Sequence, residues 1–363
     1  MSALNILALN SGSSSLKFGL YRADANGAGK LFGESVSTTD HPDAITRVAS
    51  VLAASGMPPP QAIGHRIVHG GPALRQHCRI DDAVLRQLHA AAAFAPLHAP
   101  AALALIHSAQ AHFPGVPQVA CFDTQFHAGL PEVARVLPLA RELLSDGMQR
   151  YGFHGLSLES IVRQLGDALP QRLVVAHLGN GASITAVKAG LSIDTSMGMT
   201  PSGGVIMGTR SGDLDPGVLV YLMREKTFDA ARLEALVDQR SGLLGISGLS
   251  GDMRRLHEAA VTNRDARLAI EMFCYSVRKQ VAAMIAVLGG LDMLVFTGGI
   301  GENDAQVRIE ICAGLAWFGV RLDESRNRAA SNPVSDGASR CQVLVLASQE
   351  EEQIARHAWA TLA

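Results

Sequence analysis

Five charged or titratable side chains stand beside turn residues at the ends of apolar runs. Arg66 lies in His65-Arg66-Ile67-Val68-His69-Gly70-Gly71, and Asp123 opens Asp123-Thr124-Gln125-Phe126-His127. His154 follows Tyr151-Gly152-Phe153, Arg210 sits in Met207-Gly208-Thr209-Arg210-Ser211-Gly212, and Glu350 heads Glu350-Glu351-Glu352. A guanidinium in a glycine loop can grip a phosphate or a carboxylate with two parallel hydrogen bonds. Phosphoryl transfer needs positive charge on the group in flight, a divalent cation and a positioned nucleophile, and this inventory supplies those parts. The signatures of other chemistries are absent: HExxH, GxSxG, CxxC and GxxxxGK[ST] do not occur. Gly299-Ile300-Gly301 begins like a dinucleotide fingerprint but lacks the third glycine. Taken singly, each residue also fits an ordinary structural use. Arg66 and Arg210 suit ion pairs, Asp123 a turn cap, and Glu350 the acidic first turn of a helix.

Such groups need rigid elements to hold them. The apolar run Leu4 to Leu9, the turn Asn10-Ser11-Gly12-Ser13-Ser14-Ser15 and the alternating run Leu16 to Tyr21 predict a strand, a tight turn and a strand. A hairpin tip dense in backbone N–H, hydroxyl and amide groups suits an oxyanion, and Lys17 adds a cation beside it. The design recurs where Leu173 to His177 runs into Leu178-Gly179-Asn180-Gly181-Ala182-Ser183 and a second alternating strand. Its recurrence points to two halves of similar topology facing one cleft. Further strands are expected at 30–38, 62–68, 117–122, 294–297 and 341–346. Helices are expected at 82–93, 100–112, 157–165, 228–237, 264–288, 305–316 and 350–359. Residues 198–217 and 242–252 read as glycine-rich loops. The alternation of strands and helices predicts an α/β fold with partly parallel sheets and ligands beyond the strand ends. Two domains are expected: residues 1–147 with the terminal helix 348–363, and residues 148–347.

Composition narrows the functional classes. The chain has 363 residues and a formal net charge of −2, which offers no electrostatic footprint for nucleic acid. Its five cysteines are odd in number and widely spaced, which argues against a disulfide framework and for a reducing cytoplasm. No apolar stretch reaches the ~20 residues that span a bilayer, and the first residues run straight into a strand without the pattern of a signal peptide.

Together the motifs LNSGSSSLKF, GHRIVHGG, APLHAP, CFDTQFH, RYGFHGLS, HLGNGAS, MTPSGG, MGTRSGDLDPG, FTGGIGEN and SQEEEQIAR resemble, in order and over nearly the whole chain, the acetate kinases of the actin-like and sugar-kinase superfamily. The resemblance implies two actin-like, ribonuclease H-like domains with an interdomain cleft. It implies reversible phosphoryl transfer between ATP and acetate giving acetyl phosphate and ADP, with propionate or butyrate as alternative acceptors. Mg²⁺ would be the cofactor, with Mn²⁺ able to substitute, and the assembly a homodimer. By the same resemblance Asn10 and Glu350 match the metal site, and Arg66 and Arg210 the arginines on substrate oxygens. Asp123 matches the catalytic aspartate and His154 the transition-state histidine. Ser13, Ser15 and Lys17 match the phosphate hairpin. His177, Leu178, Gly179, Asn180 and Gly181 match its counterpart in the second half. Asp252, Met253 and Arg254 match an adenosine-contacting segment, and Gly299, Ile300, Gly301, Glu302 and Asn303 a second nucleotide segment. Val68, Leu97, Phe153 and Pro201 match the acyl pocket, with His98 beside it. Leu156 and Leu158 depart from the polar residues usual in the family, which leaves the partner of His154 open.

Overall fold

The computed structural model describes residues 2–12, 15–37 and 41–363. Its first sheet contains β1 (Leu4–Ser11), β2 (Ser15–Asp24), β3 (Gly27–Ser37), β4 (Ala62–Ile67), β5 (Cys78–Arg79) and β6 (Gln118–Phe122), in the order β3-β2-β1-β4-β6-β5. Its second contains β7 (Arg172–Leu178), β8 (Ala182–Lys188), β9 (Leu191–Thr195), β10 (Met293–Thr297) and β11 (Gln342–Val345), in the order β11-β10-β7-β8-β9. Each sheet is built the same way. An antiparallel three-strand meander, β1-β2-β3 or β7-β8-β9, is extended on the side of its first strand by two parallel strands, β4 and β6 or β10 and β11. This duplicated layout is the actin-like fold, and it makes the two glycine turns equivalent in position.

The pattern of β1 shows why the first sheet is buried on both faces. Ile6, Leu7, Ala8 and Leu9 are all 0% exposed. Successive side chains of a strand point to opposite faces. Leu7 and Leu9 accordingly join a cluster with Ile45, Val48 and Leu105 from the helices His41–Ala54 and Ala99–His112. Ile6 and Ala8 face Ile354, Ala355 and Ala358 of the terminal helix Glu350–Leu362. The last helix of the chain therefore covers the first sheet.

The second sheet is backed by the long helix Arg264–Leu288, whose buried stripe runs Ile270, Phe273, Cys274, Val277, Val281, Met284, Ile285 and Leu288. Asn263 caps its start by accepting the Asp265 and Ala266 N–H groups, and Gly289 ends it at φ 68°. Helix Gly155–Leu165 joins the two halves. Leu156 packs with the first-sheet cluster, while Leu158, Ile161 and Leu165 pack with Leu173, Val175 and Val295 of the second sheet.

Two expectations need correction. Residues 242–252, read as a glycine loop, form a helix at Gly242–Ser247 and then lead into a second at Met253–Ala259. Burial of Leu243 and Met253 in the core, and the Asp252 carboxylate accepting the Arg254 N–H at 2.9 Å, outweigh the weak helical propensity of this segment. Strand β9 was also not anticipated, because only five residues separate two turns. Among the described residues no helix is long and apolar enough to cross a membrane.

Candidate active site

The site forms where the turns of the two sheets meet. A cavity of about 440 Å³ is lined by Gly12, Lys17 and Arg66 of the first half, by His154, His177, Gly179, Asn180, Gly181, Arg210, Gly299, Glu302 and Asn303 of the second, and by Glu350 and Glu351 at the head of the terminal helix. An adjoining cavity of about 380 Å³ shares Arg66, His98, Asn180 and Arg210 and adds Val68, Leu97, Ala101, Ala102 and Asp238. The charged groups that the sequence places up to several hundred residues apart thus share one space, with an apolar wall at one end.

Arg66 is held by Asp123. Its Nε donates to Asp123 Oδ2 at 2.8 Å and its Nη2 lies 2.6 Å from the same oxygen. Arg66 Nη1 donates to Asn10 Oδ1 at 3.3 Å, and Asn10 Nδ2 donates to Glu350 Oε2 and Glu351 Oε1, both at 2.8 Å. Asp123 is 0% exposed and lies behind Arg66 rather than in the cavity. Burial pushes its carboxyl up to about 6 against the pull of the Arg66 guanidinium, and the nearby Glu350 adds to the rise. Burial alone would also raise Glu350, but Arg66, His177, the Asn10 hydrogen bond and Lys17 bring it below the ordinary range. Glu350 is therefore ionised throughout the neutral range, whereas Asp123 takes up a proton as the pH falls below about 6.

Arg210 differs from Arg66. Its Nη1 donates to the Pro201 carbonyl at 2.6 Å, and it makes no ion pair among the described residues. Burial lowers its pKa, Asp238 opposes that, and Arg66 lowers it further. The two guanidiniums therefore repel across a cavity that an anion would neutralise.

His154 occupies the left-handed region at φ 63°, just before helix Gly155–Leu165. A Cβ on Gly155 would run into the Asp123 carbonyl, so glycine lets this turn sit directly on the end of β6. His154 Nδ1 lies 2.9 Å from Ser183 Oγ, which donates in turn to the Phe153 carbonyl at 3.3 Å. His154 is thus partnered despite Leu156 and Leu158, which are both 0% exposed in the core. Its ring stacks on His177 with centroids 4.1 Å apart and planes at 14°. Burial, then the His177, Arg66, Arg210 and His127 charges, drive its pKa well below the ordinary value, so the imidazole is neutral at pH 7. His177 is pushed down to about 4, chiefly by burial. Its Nδ1 lies 2.9 Å from Ser157 Oγ, which accepts from Ser348 Oγ at 3.1 Å. In the tautomer that takes the Ser157 proton at Nδ1, His177 presents Nε2–H to the cavity. Gly181 keeps this wall open: a Cβ there would lie 3.0 Å from Arg210 Nη2 and 3.1 Å from His154 Nε2.

Other residues marked in the sequence stand further back. Phe153 is 1% exposed, and its carbonyl also accepts from His127 Nε2 at 3.2 Å. Pro201 contributes the carbonyl that fixes Arg210. Leu178 is buried in the core and Ile300 packs against it, while the Gly301 carbonyl accepts from Arg308. Glu302 accepts the Gly298 and Ser348 N–H groups, each at 2.9 Å, tying the β10 turn to the segment before the terminal helix. Asp252 caps its helix and pairs with the exposed Arg254, Met253 is core, and none of the three lines the two cavities. Ser13 lies outside the described residues, and Ser15 begins β2. His98 lines both cavities, and burial with the charges of Arg210 and Arg66 pushes it down to about 4. Sequence reasoning passed over Ser183, Ser157, Ser348 and Glu351. All four lie inside motifs already noted, but a hydroxyl or second acid gives no signal of its partner until the fold is known.

The family model for the acetokinase family matches residues 28–356. The chain belongs to the acetokinase family. It is 43% identical over 396 residues to an acetate kinase of Methylocella silvestris, covering 98% of each chain. Among solved structures it is similar to Porphyromonas gingivalis acetate kinase at a TM-score of 0.85 and 34% identity, with 100% of both chains covered. It is also similar to a propionate kinase from Francisella tularensis at a TM-score of 0.87 and 36% identity, covering 98% of this chain and 99% of that one. These acetokinase-family relatives span the whole two-sheet arrangement, so the likeness includes both walls of the cleft.

Proposed function

We propose that the protein is an acetate kinase that transfers a phosphoryl group reversibly between ATP and acetate. The observation that carries this reading is the convergence of Arg66 and Arg210, from opposite halves, on one cavity lined by both glycine turns. In the forward direction an acetate oxygen forms a bond to the γ-phosphorus while the bond from phosphorus to the ADP oxygen breaks, giving acetyl phosphate and ADP. Acetate is already ionised and needs no general base, so the chain's task is to align two anions and to meet the charge on the equatorial oxygens. Arg210 and Arg66 offer guanidinium forks for that charge, and His177 offers Nε2–H. Asp123 acts through Arg66, whose Nε and Nη2 it holds. Val68 and Leu97 supply an apolar wall suited to the acyl methyl.

The carboxylates of Glu350 and Glu351, gathered by the Asn10 amide N–H groups, offer oxygen donors at the phosphate end, which fits a hard divalent cation such as Mg²⁺, with Mn²⁺ as substitute; Asn10 Oδ1, which accepts from Arg66, would join them only after the amide turns. When bound, the cation supplies charge neutralisation on the ATP phosphates. The same reading divides the chain into residues 1–147 with 348–363 and residues 148–347, supported by the terminal helix packing on β1. It makes the protein a homodimer. In support, helix Pro216–Lys226 buries none of its residues and exposes Val218, Val220, Tyr221 and Met223. Five free cysteines support a reducing cytoplasm.

Trapping acyl phosphate as hydroxamate in a mixture of ATP, Mg²⁺, acetate and enzyme tests the activity. Nucleotide binding without hydroxamate would make the protein a non-catalytic actin-like module. A second reading, a kinase for propionate or butyrate, draws on the likeness to the F. tularensis propionate kinase and on Ala101 and Ala102, which leave the apolar end of the cavity roomy. Comparing kcat/KM for the three acids decides between them, since one methylene is worth ~1–3 kcal/mol in such a pocket.

A further inference from the structure

Outside the cleft, three titratable side chains from three different elements meet. Glu159 lies on helix Gly155–Leu165, His357 on helix Glu350–Leu362, and His77 just before β5. Glu159 Oε2 is 2.5 Å from His357 Nε2 and 3.9 Å from His77 Nε2, and the two imidazole centroids are 3.9 Å apart. The His77 side chain is 6% exposed, and its Nε2 has no hydrogen-bond partner among the described residues. His77 is itself fixed from behind. Its Nδ1 accepts the Phe122 N–H at 3.0 Å, and its own N–H donates to Gln125 Oε1.

These are metal-ligand residue types in a tight group, but the geometry favours protons over a metal. A nitrogen that accepts a backbone N–H carries the lone pair, so neutral His77 has its proton on Nε2, the atom facing Glu159. That atom then has no lone pair for a metal. The 2.5 Å contact between Glu159 and His357 is a hydrogen bond, and it is too short to admit an ion bonded at ~2.0 Å to both atoms in tetrahedral geometry. The carboxylate stays ionised. Burial would raise it, but the His357 hydrogen bond and the adjacent His77 imidazole hold it at about 2.

Each element tied here ends in a group of the cleft. Helix Gly155–Leu165 begins directly after His154 and carries Ser157, the partner of His177. Helix Glu350–Leu362 begins at Glu350. Phe122, bonded to His77, precedes Asp123. Resting on the proposed phosphoryl transfer, we infer that Glu159 is a positioning residue, setting His154, Glu350 and Asp123 in register through His357 and His77. Nearby contacts preserve the fold without it. Arg163 Nη1 lies 3.0 Å from a Glu352 oxygen and Arg163 Nη2 donates to Gln349 at 2.6 Å, while Ile354, Ala355 and Ala358 stay buried on β1.

The test compares the full chain with Glu159→Gln, Glu159→Asp and His357→Gln. Glu159→Gln is expected to lower kcat by about tenfold, as loss of outer-shell partners commonly does. The Mg²⁺ half-saturation should rise while KM for acetate stays within about twofold, a split expected where only differential binding is lost. Glu159→Asp should recover part of the loss, and the thermal midpoint and circular dichroism should report a folded protein throughout. Unchanged kcat and Mg²⁺ dependence in Glu159→Gln would overturn the inference. So would a loss accounted for by the unfolded fraction, or stoichiometric metal in the wild type that Glu159→Gln no longer holds. If Glu159→Gln fails to fold, His357→Gln and Glu159→Asp carry the same comparison. A wild-type chain that makes no hydroxamate would sink the kinase reading instead. The histidine ring ¹⁵N–¹H signals of His357 and His77 would still report whether His357 donates to Glu159 and whether His77 carries its proton on Nε2.

Discussion

Asp123 gives one oxygen to two nitrogens of Arg66: Oδ2 lies 2.8 Å from Nε and 2.6 Å from Nη2. The carboxylate is wholly buried, so it acts on the cleft only through the guanidinium that covers it. Asp123→Asn keeps the shape but removes the charge, and kcat is expected to fall by one to two orders of magnitude. The acid limb of the rate profile follows the same pair. Above about 6 Asp123 is ionised and fixes Arg66; below it the carboxyl takes a proton and the tie weakens. Activity should therefore fall as pH drops through this value, and a profile for Asp123→Asn that keeps the same limb would assign the limb elsewhere.

Arg210 makes no ion pair among the described residues, Asp238 acting on it only from a distance, so its removal should act on the transition state more than on the fold. We expect Arg210→Ala to lose on the order of 10²–10³ in kcat. Arg210→Lys should restore only part, because an ammonium lacks the fork. Stopped-flow or steady-state rates beside a melting curve give the answer, and near-wild-type turnover in a folded Arg210→Ala would remove Arg210 from the mechanism.

Glu350 and Glu351 share the Asn10 amide, but only Glu350 is buried. Glu350→Gln should raise the Mg²⁺ half-saturation severalfold more than Glu351→Gln does. A titration of rate against Mg²⁺ separates them, and identical curves for both variants would return the pair to ordinary helix-end acids.

His154 is neutral in the open cleft because burial and four surrounding cations or imidazoles disfavour its charge. A phosphate bound there reverses the balance by supplying an anion, and the folded-state pKa rises. Binding of inorganic phosphate at pH 7 should therefore take up protons, and should weaken as pH rises. Calorimetry in two buffers of different ionisation enthalpy measures the uptake, which His154→Gln should reduce. Zero uptake by the wild type would contradict the assignment.

The elements and the cleft were legible to different depths. The periodicity of Ile270 to Leu288 placed its helix correctly at both ends, since one apolar stripe and two caps define it. The two glycine turns revealed the duplicated sheets because tight turns restrict residue type. The pairing of Asn10 with Glu350 was not legible in the same way: 340 residues separate them, and neither type names its partner. Resemblance supplied that link. Ser183 as the support of His154 escaped notice for a related reason, since a hydroxyl in a turn looks alike whether it faces water or an imidazole. Leu156 and Leu158 left the partner of His154 open in the sequence; each fills a separate core, one on either sheet, and Ser183 takes the polar role.

The terminal helix has a consequence for the order in which the molecule is made. Ile6 and Ala8 on β1 wait for Ile354, Ala355 and Ala358, and Asn10 waits for Glu350. During synthesis the first sheet thus leaves the ribosome with one apolar face bare, and it stays bare until residues 350–362 emerge. The cleft and the cover of that sheet are completed in one event, so a nascent chain interrupted before Glu350 exposes a sticky face as well as lacking its acids. Protein clipped ahead of the last helix should therefore aggregate through that face rather than simply lack activity.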